Sequence, residues 1–215
     1  MTHSLHRLGE IESLKQDFVV LSMPSTGIDG TGINVEGSGP KLKRFLEICR
    51  ANNCVTFGDC KKGNAFVQGG DERVLKNIVD HAVPTASFKD KEDVINVLRD
   101  LKKEDSGLSV VVSGLEEEVR DACKKANLEV HTIEHSLGRW GKTELLPDRK
   151  VLEISLMCGH AQVPVNLIYE LVEEVEKGKM TAEEAAEELF KPCMCGIFNT
   201  DRATKLINEY IAQKK

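Results

Sequence analysis

Leu108-Ser109-Val110-Val111-Val112, followed by Ser113 and, three residues on, Glu116, reads as a strand running straight into a capped helix. Three consecutive valines suit a pleated, buried surface. A hydroxyl three residues ahead of a glutamate is the reciprocal cap that opens a helix, and Val119, Ala122, Cys123 and Ala126 then share one helical face.

The same unit recurs on either side. Upstream, Phe18 to Ser22 is a short apolar run, and Ser38, Gly39 and Pro40 open a helix whose stripe is Leu42, Phe45, Leu46 and Cys49. Cys54 to Phe57 precedes a helix predicted over Asp71 to Ala82. Ala86 to Phe88 precedes an Asp90-capped helix with Val94, Val97, Leu98 and Leu101 on one face. Downstream, Leu128 to Ile133 and Val151 to Met157 read as two further strands, and the first 16 residues as a helix or arm. Short apolar strands alternating with helices predict an α/β fold with a mostly parallel or mixed sheet and helices on both faces. A mixed sheet stays open because Glu134 to Lys150 shows no helical pattern. Residues 1–160 are expected to form the sheet domain. Residues 161–215 form a C-terminal helical segment packed on it, with helices opened by Pro164, by Thr181 with Glu184, and near Thr200.

Composition excludes several function classes. Apolar residues are 40% of the chain, charged residues 30%, and the formal charge is -6 with no basic stripe, so nucleic acid is not an expected partner. No apolar run approaches the ~20 residues of a membrane span, and Met1 to Gly9 carries no signal core, so a cytoplasmic protein is expected. A homo-oligomer is compatible with all of this. Seven cysteines, an odd number at irregular spacings, do not form a secreted disulfide framework. Cys49 and Cys123 fall on helix stripes and read as core thiols.

The chemistry concentrates near the end. Cys158-Gly159-His160 and Cys193-Met194-Cys195-Gly196 flank a helical hairpin that can return its ends to one place. Cys158, His160, Cys193 and Cys195 would suit a tetrahedral zinc ion. The three cysteines, with a further ligand, would suit an iron–sulfur cluster. The spacing differs from the common CxxC knuckles. Each cluster precedes a helix start, where a positive dipole end would favour thiolate.

If the sheet were parallel, the loops leaving its strands would gather at one edge. Asp59, Cys60, Lys61, His135 and Arg139 would then surround the metal site as ligand-binding candidates. Lys61 and Arg139 would face a carboxylate or phosphate, and His135 would serve as acid, base or ligand. Pro24 to Gly39, with Gly27, Gly30, Gly32, Gly37 and Gly39, resembles a phosphate-cradling loop in composition but matches neither nucleotide-loop spacing. It reads as a ligand-covering loop or a plain surface loop. The expected function is a metal-binding protein with a small-molecule cleft; if catalytic, the metal would act as a Lewis acid on a small anionic substrate. The alternatives are a non-enzymatic ligand-binding or sensor module with a structural metal, and a thiol redox protein using Cys193 and Cys195.

Overall fold

Phe18–Met23 forms the central strand β1 of a five-stranded sheet completed by β2 (Thr56–Asp59), β3 (Gly63–Asn64), β4 (Pro84–Phe88) and β5 (Ser109–Ser113), in the order β3-β2-β4-β1-β5. The computed structural model describes residues 7–25, 31–32, 34–136 and 138–214. The helices are α1 (Ile11–Leu14), α2 (Ser38–Ala51), α3 (Ala65–Gln68), α4 (Asp71–Asn77), α5 (Lys91–Glu104), α6 (Glu116–Lys125), α7 (Arg149–Ser155), α8 (Val165–Glu176), α9 (Ala182–Phe190) and α10 (Thr200–Lys214).

Every pairing in the sheet is antiparallel, which corrects the parallel or mixed sheet expected from the alternation. The reason is interleaving. β1 and β2 run in the same direction on either side of α2, but β4 lies between them. β4 and β5 likewise share a direction on either side of α5, with β1 between them. Each β-α-β crossover does join like-directed strands, and the partner of each strand comes from the other crossover. This is the split β-α-β, or ferredoxin-like, topology, a name for a chain path that carries no chemistry.

Side-chain alternation along β1 divides the core. Phe18 and Val20 pack with Leu42, Phe45 and Leu46 of α2, Val74 of α4, and Val94 and Val97 of α5. Val19 faces the other way, onto Ile154 of α7, Ile168 of α8, Leu189 of α9 and Leu206 of α10. Helices therefore cover both faces of the sheet.

Two expected strands are absent. Leu128 to Ile133 lies in an exposed segment with no ladder partner among the described residues. Val151 to Met157 belongs to helix α7 and the turn after it; Asp148 caps this helix by accepting the amide of Lys150. Val151, Ile154 and Cys158 recur at helical spacing, but Val151 to Ser155 are all buried, which blurs the period that separates helix from strand. The Ser113 and Glu116 box does not form, since Leu115 is the N-cap of α6 without a side-chain cap. The Thr181 and Glu184 box forms in both directions. The helix expected over Asp71 to Ala82 stops at Asn77. Residues 1–6, part of the expected N-terminal helix or arm, lie outside the described residues.

The N-terminal segment is tied to α10 through a buried carboxylate. Asp17, 2% exposed, pairs with Arg7 and, at 2.7 Å, with Arg202. Arg202 also donates to Ser13 and Leu8, and Asn199 donates to the carbonyl of Gln16. Removing the charge at the centre of such a set leaves buried cations uncompensated. Asp17→Asn is expected to lower unfolding stability by roughly 3–5 kcal/mol in urea titrations; a loss under about 1 kcal/mol would show that Asp17 does not hold this junction.

Candidate metal centre

Cys158 lies in the turn after α7, and Cys193 and Cys195 lie in the turn after α9. All three are buried, at 0%, 0% and 1% exposure. The amides of Cys158 and Cys193 bond back to the carbonyls of Ser155 and Phe190. Both turns therefore sit at helix C-termini, the negative end of the dipole, with α8 and α10 starting several residues later. The expected help from helix N-termini is not what these turns receive.

The structure brings these residues together. Cys193 and Cys195 have their sulfurs 3.9 Å apart, and Nδ1 of the exposed His160 lies 3.7 Å from the sulfur of Cys195. Cys158 bears directly on the ionisation of Cys193, and Cys60, in the turn between β2 and β3, on that of Cys195. All four cysteines belong to or pack against one apolar cluster. They come from three distant parts of the chain. Among the described residues, no three or more His, Cys, Asp or Glu side chains are grouped to hold a metal ion as they stand.

Polar side chains fix the turns by their carbonyls. Arg7 donates to Met157 at 3.0 Å and Ile197 at 2.9 Å, reaching both turns with one guanidinium. The buried Asn64 donates to Phe190, Lys191 and Cys193. Thr85 donates to the carbonyl of Cys195, and Thr56 to that of Phe198. Gln162 accepts from the amide of Met194 and the thiol of Cys158, joining one turn to the other. Close approach to the sheet demands glycine on both sides. A Cβ on Gly196, whose φ is 76°, would meet the carbonyl oxygen of Phe57 at 2.4 Å, and one on Gly58 would meet that of Cys195 at 2.8 Å. None of these partners stood out in the sequence; buried Asn and Thr at strand positions were the available signal.

The electrostatics follow from sulfur crowding and burial. The Cys158 thiol is pushed up by its interaction with Cys193 and by burial. Cys193 is drawn down by Cys158 but carried up to about 12 by Cys195 and burial. Cys195 is drawn down by Cys193 and carried up to about 12 by Cys60 and burial. Against this, the amides of Gln162 and His160 favour thiolate at Cys158, and that of Ile197 does so at Cys193.

No family model, curated protein or solved structure matches the chain.

The remaining candidates scatter, because an antiparallel sheet sends its loops to both ends. Asp59 is buried at the end of β2, where Oδ1 accepts the amides of Lys61 and Val83, and Lys61 itself is exposed. His135 lies 3.7 Å from Glu116, just beyond the end of β5 and at the opposite end of the sheet from Asp59. Arg139 is exposed in the same segment. Of the glycine-rich loop, residues 26–30, with Gly27 and Gly30, lie outside the described residues. At its far end the amides of Gly37 and Gly39, which open α2, are taken by the carboxylate of Asp80 at 2.9 and 2.6 Å. The Gly39 amide, then that of Gly37, holds Asp80 below the usual carboxylate range. Beside it lies an open hollow of about 510 Å³, lined by Gly32, Asn34, Val35, Glu36, Asp80 and His81 and by none of the cysteines.

The raised thiols set a pH dependence. Cys193 and Cys195, which ionise near 9 in an unfolded chain, ionise near 12 when folded. Between those values the folded chain holds protons that the unfolded chain has released. Their contribution to stability is thus complete below about pH 9 and is lost as pH rises through about 12. With a chelator present, the urea midpoint is expected to fall above about pH 9, and to fall less steeply in a Cys193→Ser, Cys195→Ser double variant. Equal slopes would show that these thiols are not held protonated by the fold.

Proposed function

We propose that this chain is a cytoplasmic soft-metal-binding protein in which Cys158, Cys193, Cys195 and His160 hold a zinc ion or an iron–sulfur cluster that clasps the C-terminal helices to the sheet. The observation that carries this is the burial of Cys158, Cys193 and Cys195 in two turns joined through Gln162, with the sulfurs of Cys193 and Cys195 3.9 Å apart and Nδ1 of His160 3.7 Å from Cys195. The donor set fits such a group: three sulfurs and one imidazole, all soft or borderline ligands, with no carboxylate among them. When bound, the metal would supply the positive charge that lets crowded, buried thiols ionise. Seven free thiols agree with a reducing compartment. Among the described residues no helix is long and apolar enough to cross a membrane.

Burial favours a metal that organises the fold, alone or as part of a sensor, over one that binds substrate. A catalytic ion keeps an open position, whereas three of these donors are enclosed. The α2 amides that an anionic substrate would use already serve Asp80. A metal-free redox role for Cys193 and Cys195 fits less well, since thiols that ionise near 12 are weak nucleophiles at neutral pH.

Metal analysis and absorption of anaerobically purified protein test the proposal. About one equivalent of zinc, or iron with a broad band near ~400 nm, is expected, and a Cys193→Ser, Cys195→Ser double variant should lose it. A chain that takes up neither metal after reduction and reconstitution would overturn it.

A further inference from the structure

We infer that the chain pairs with a second copy of itself along β5, joining two sheets across a two-fold axis at Val111, an interface independent of the metal-binding reading above. The two edges of the sheet differ. β3 is two buried residues long and lies under the second cysteine turn, where Asn64 donates to the carbonyl of Cys193. β5 is five residues long, pairs with β1 in unbroken register from Ser109 to Ser113, and among the described residues has no main-chain hydrogen bond to any other element. Natural edge strands are blunted by Lys, Pro, a bulge or a covering element. Ser109-Val110-Val111-Val112-Ser113 carries no charge, no proline and no bulge. Such an edge is a template for another strand.

The residues of the edge say which strand. They read the same in either direction, so an antiparallel pair centred on Val111 sets Ser109 opposite Ser113, Val110 opposite Val112, and Val111 opposite its own counterpart. A centre one residue to either side would pair only three of the five with one another. Opposed residues share a face of the sheet. Val110 and Val112, which pack into the core of α2 and α5, therefore meet their like on that face. Val111, 37% exposed on the other face, is covered by the second Val111.

Charge on α6 is self-complementary about the same axis. This helix packs beside α5 and runs in the same direction, with Lys91 reaching Glu118 at one end and Lys102 the carbonyl of Asn127 at the other. It therefore runs counter to β5. Its first turn holds Glu116, Glu117 and Glu118, and its last turn Lys124 and Lys125. The axis lays two copies of α6 antiparallel on one face, the acidic end of each toward the basic end of the other. Parallel pairing would set like charges together, which opposes that arrangement. Within the chain Glu116 pairs with Arg120 and Lys125 with Asp121. Glu117 and Lys124, both exposed, have no ion-pair partner among the described residues.

Sedimentation equilibrium of the reduced full chain tests the interface, and a reversible two-chain species is expected. Val111→Lys sets two ammonium groups against each other on the axis and should weaken the dimer by roughly 100-fold or more. Glu117→Lys and Lys124→Glu should each weaken it by about 5-fold, and the two together should restore it to within about 2-fold of wild type. Unchanged far-ultraviolet circular dichroism separates these effects from misfolding. The amides of Val110 to Val112 should exchange with solvent more slowly as chain concentration rises. A chain that stays single at every concentration, or a dimer that Val111→Lys leaves intact, would overturn the inference. Protection of Leu128 to Ile133 together with β5 in a single chain would place the chain's own segment on the edge and overturn it as well. None of these outcomes touches the metal-binding proposal, which metal analysis decides.

Discussion

Asp17 is the point on which the two halves of the molecule are referenced to each other. A carboxylate enclosed at the foot of β1 requires cationic partners, and it receives Arg7 from the N-terminal segment and Arg202 from α10. With its charge satisfied there, Arg7 extends to the carbonyls of Met157 and Ile197 and sets the separation of the two cysteine turns. Asn64 and Thr85 then anchor the second turn to the sheet. The sulfurs therefore stand at the end of a chain of hydrogen bonds that begins at a strand.

Parts of the fold were legible in the sequence where a local signal and the tertiary context agree. The Thr181 and Glu184 cap, the stripe from Leu42 to Cys49, and the runs at Phe18 and Ser109 all lie where pattern alone places them. Strand order was not legible. The insertion of β4 between β1 and β2 depends on which edges remain unpaired, a long-range property that no window of residues records. α7 differs for another reason: its buried run from Val151 to Ser155 is as unbroken as that of a buried strand, and the helix start is marked only by Pro147 and Asp148 ahead of it.

For the site, the tight spacings of Cys158 with His160 and of Cys193 with Cys195 drew attention to the residues that do come together. Cys60 was also singled out, but as part of a loop cluster that a parallel sheet would have assembled. The antiparallel sheet dispersed that cluster, sending His135 to Glu116 at the far end, yet kept Cys60 against the apolar cluster that holds the other three cysteines, because the β2–β3 hairpin packs on the second cysteine turn at Gly58 and Gly63. The partners that hold the turns donate to main-chain carbonyls, which every residue carries, so nothing in the sequence of the turns marks them.

The latch between Asp80 and the start of α2 bears on which solutes the molecule meets. Helix N-termini attract free anions from solution. Here the anion is tethered to the same chain, so any dissolved phosphate or carboxylate competes with a carboxylate at an effective concentration of order millimolar or above. Metabolite anions at lower levels are thereby screened out without any wall or lid, and α2 presents a neutralised end to its surroundings.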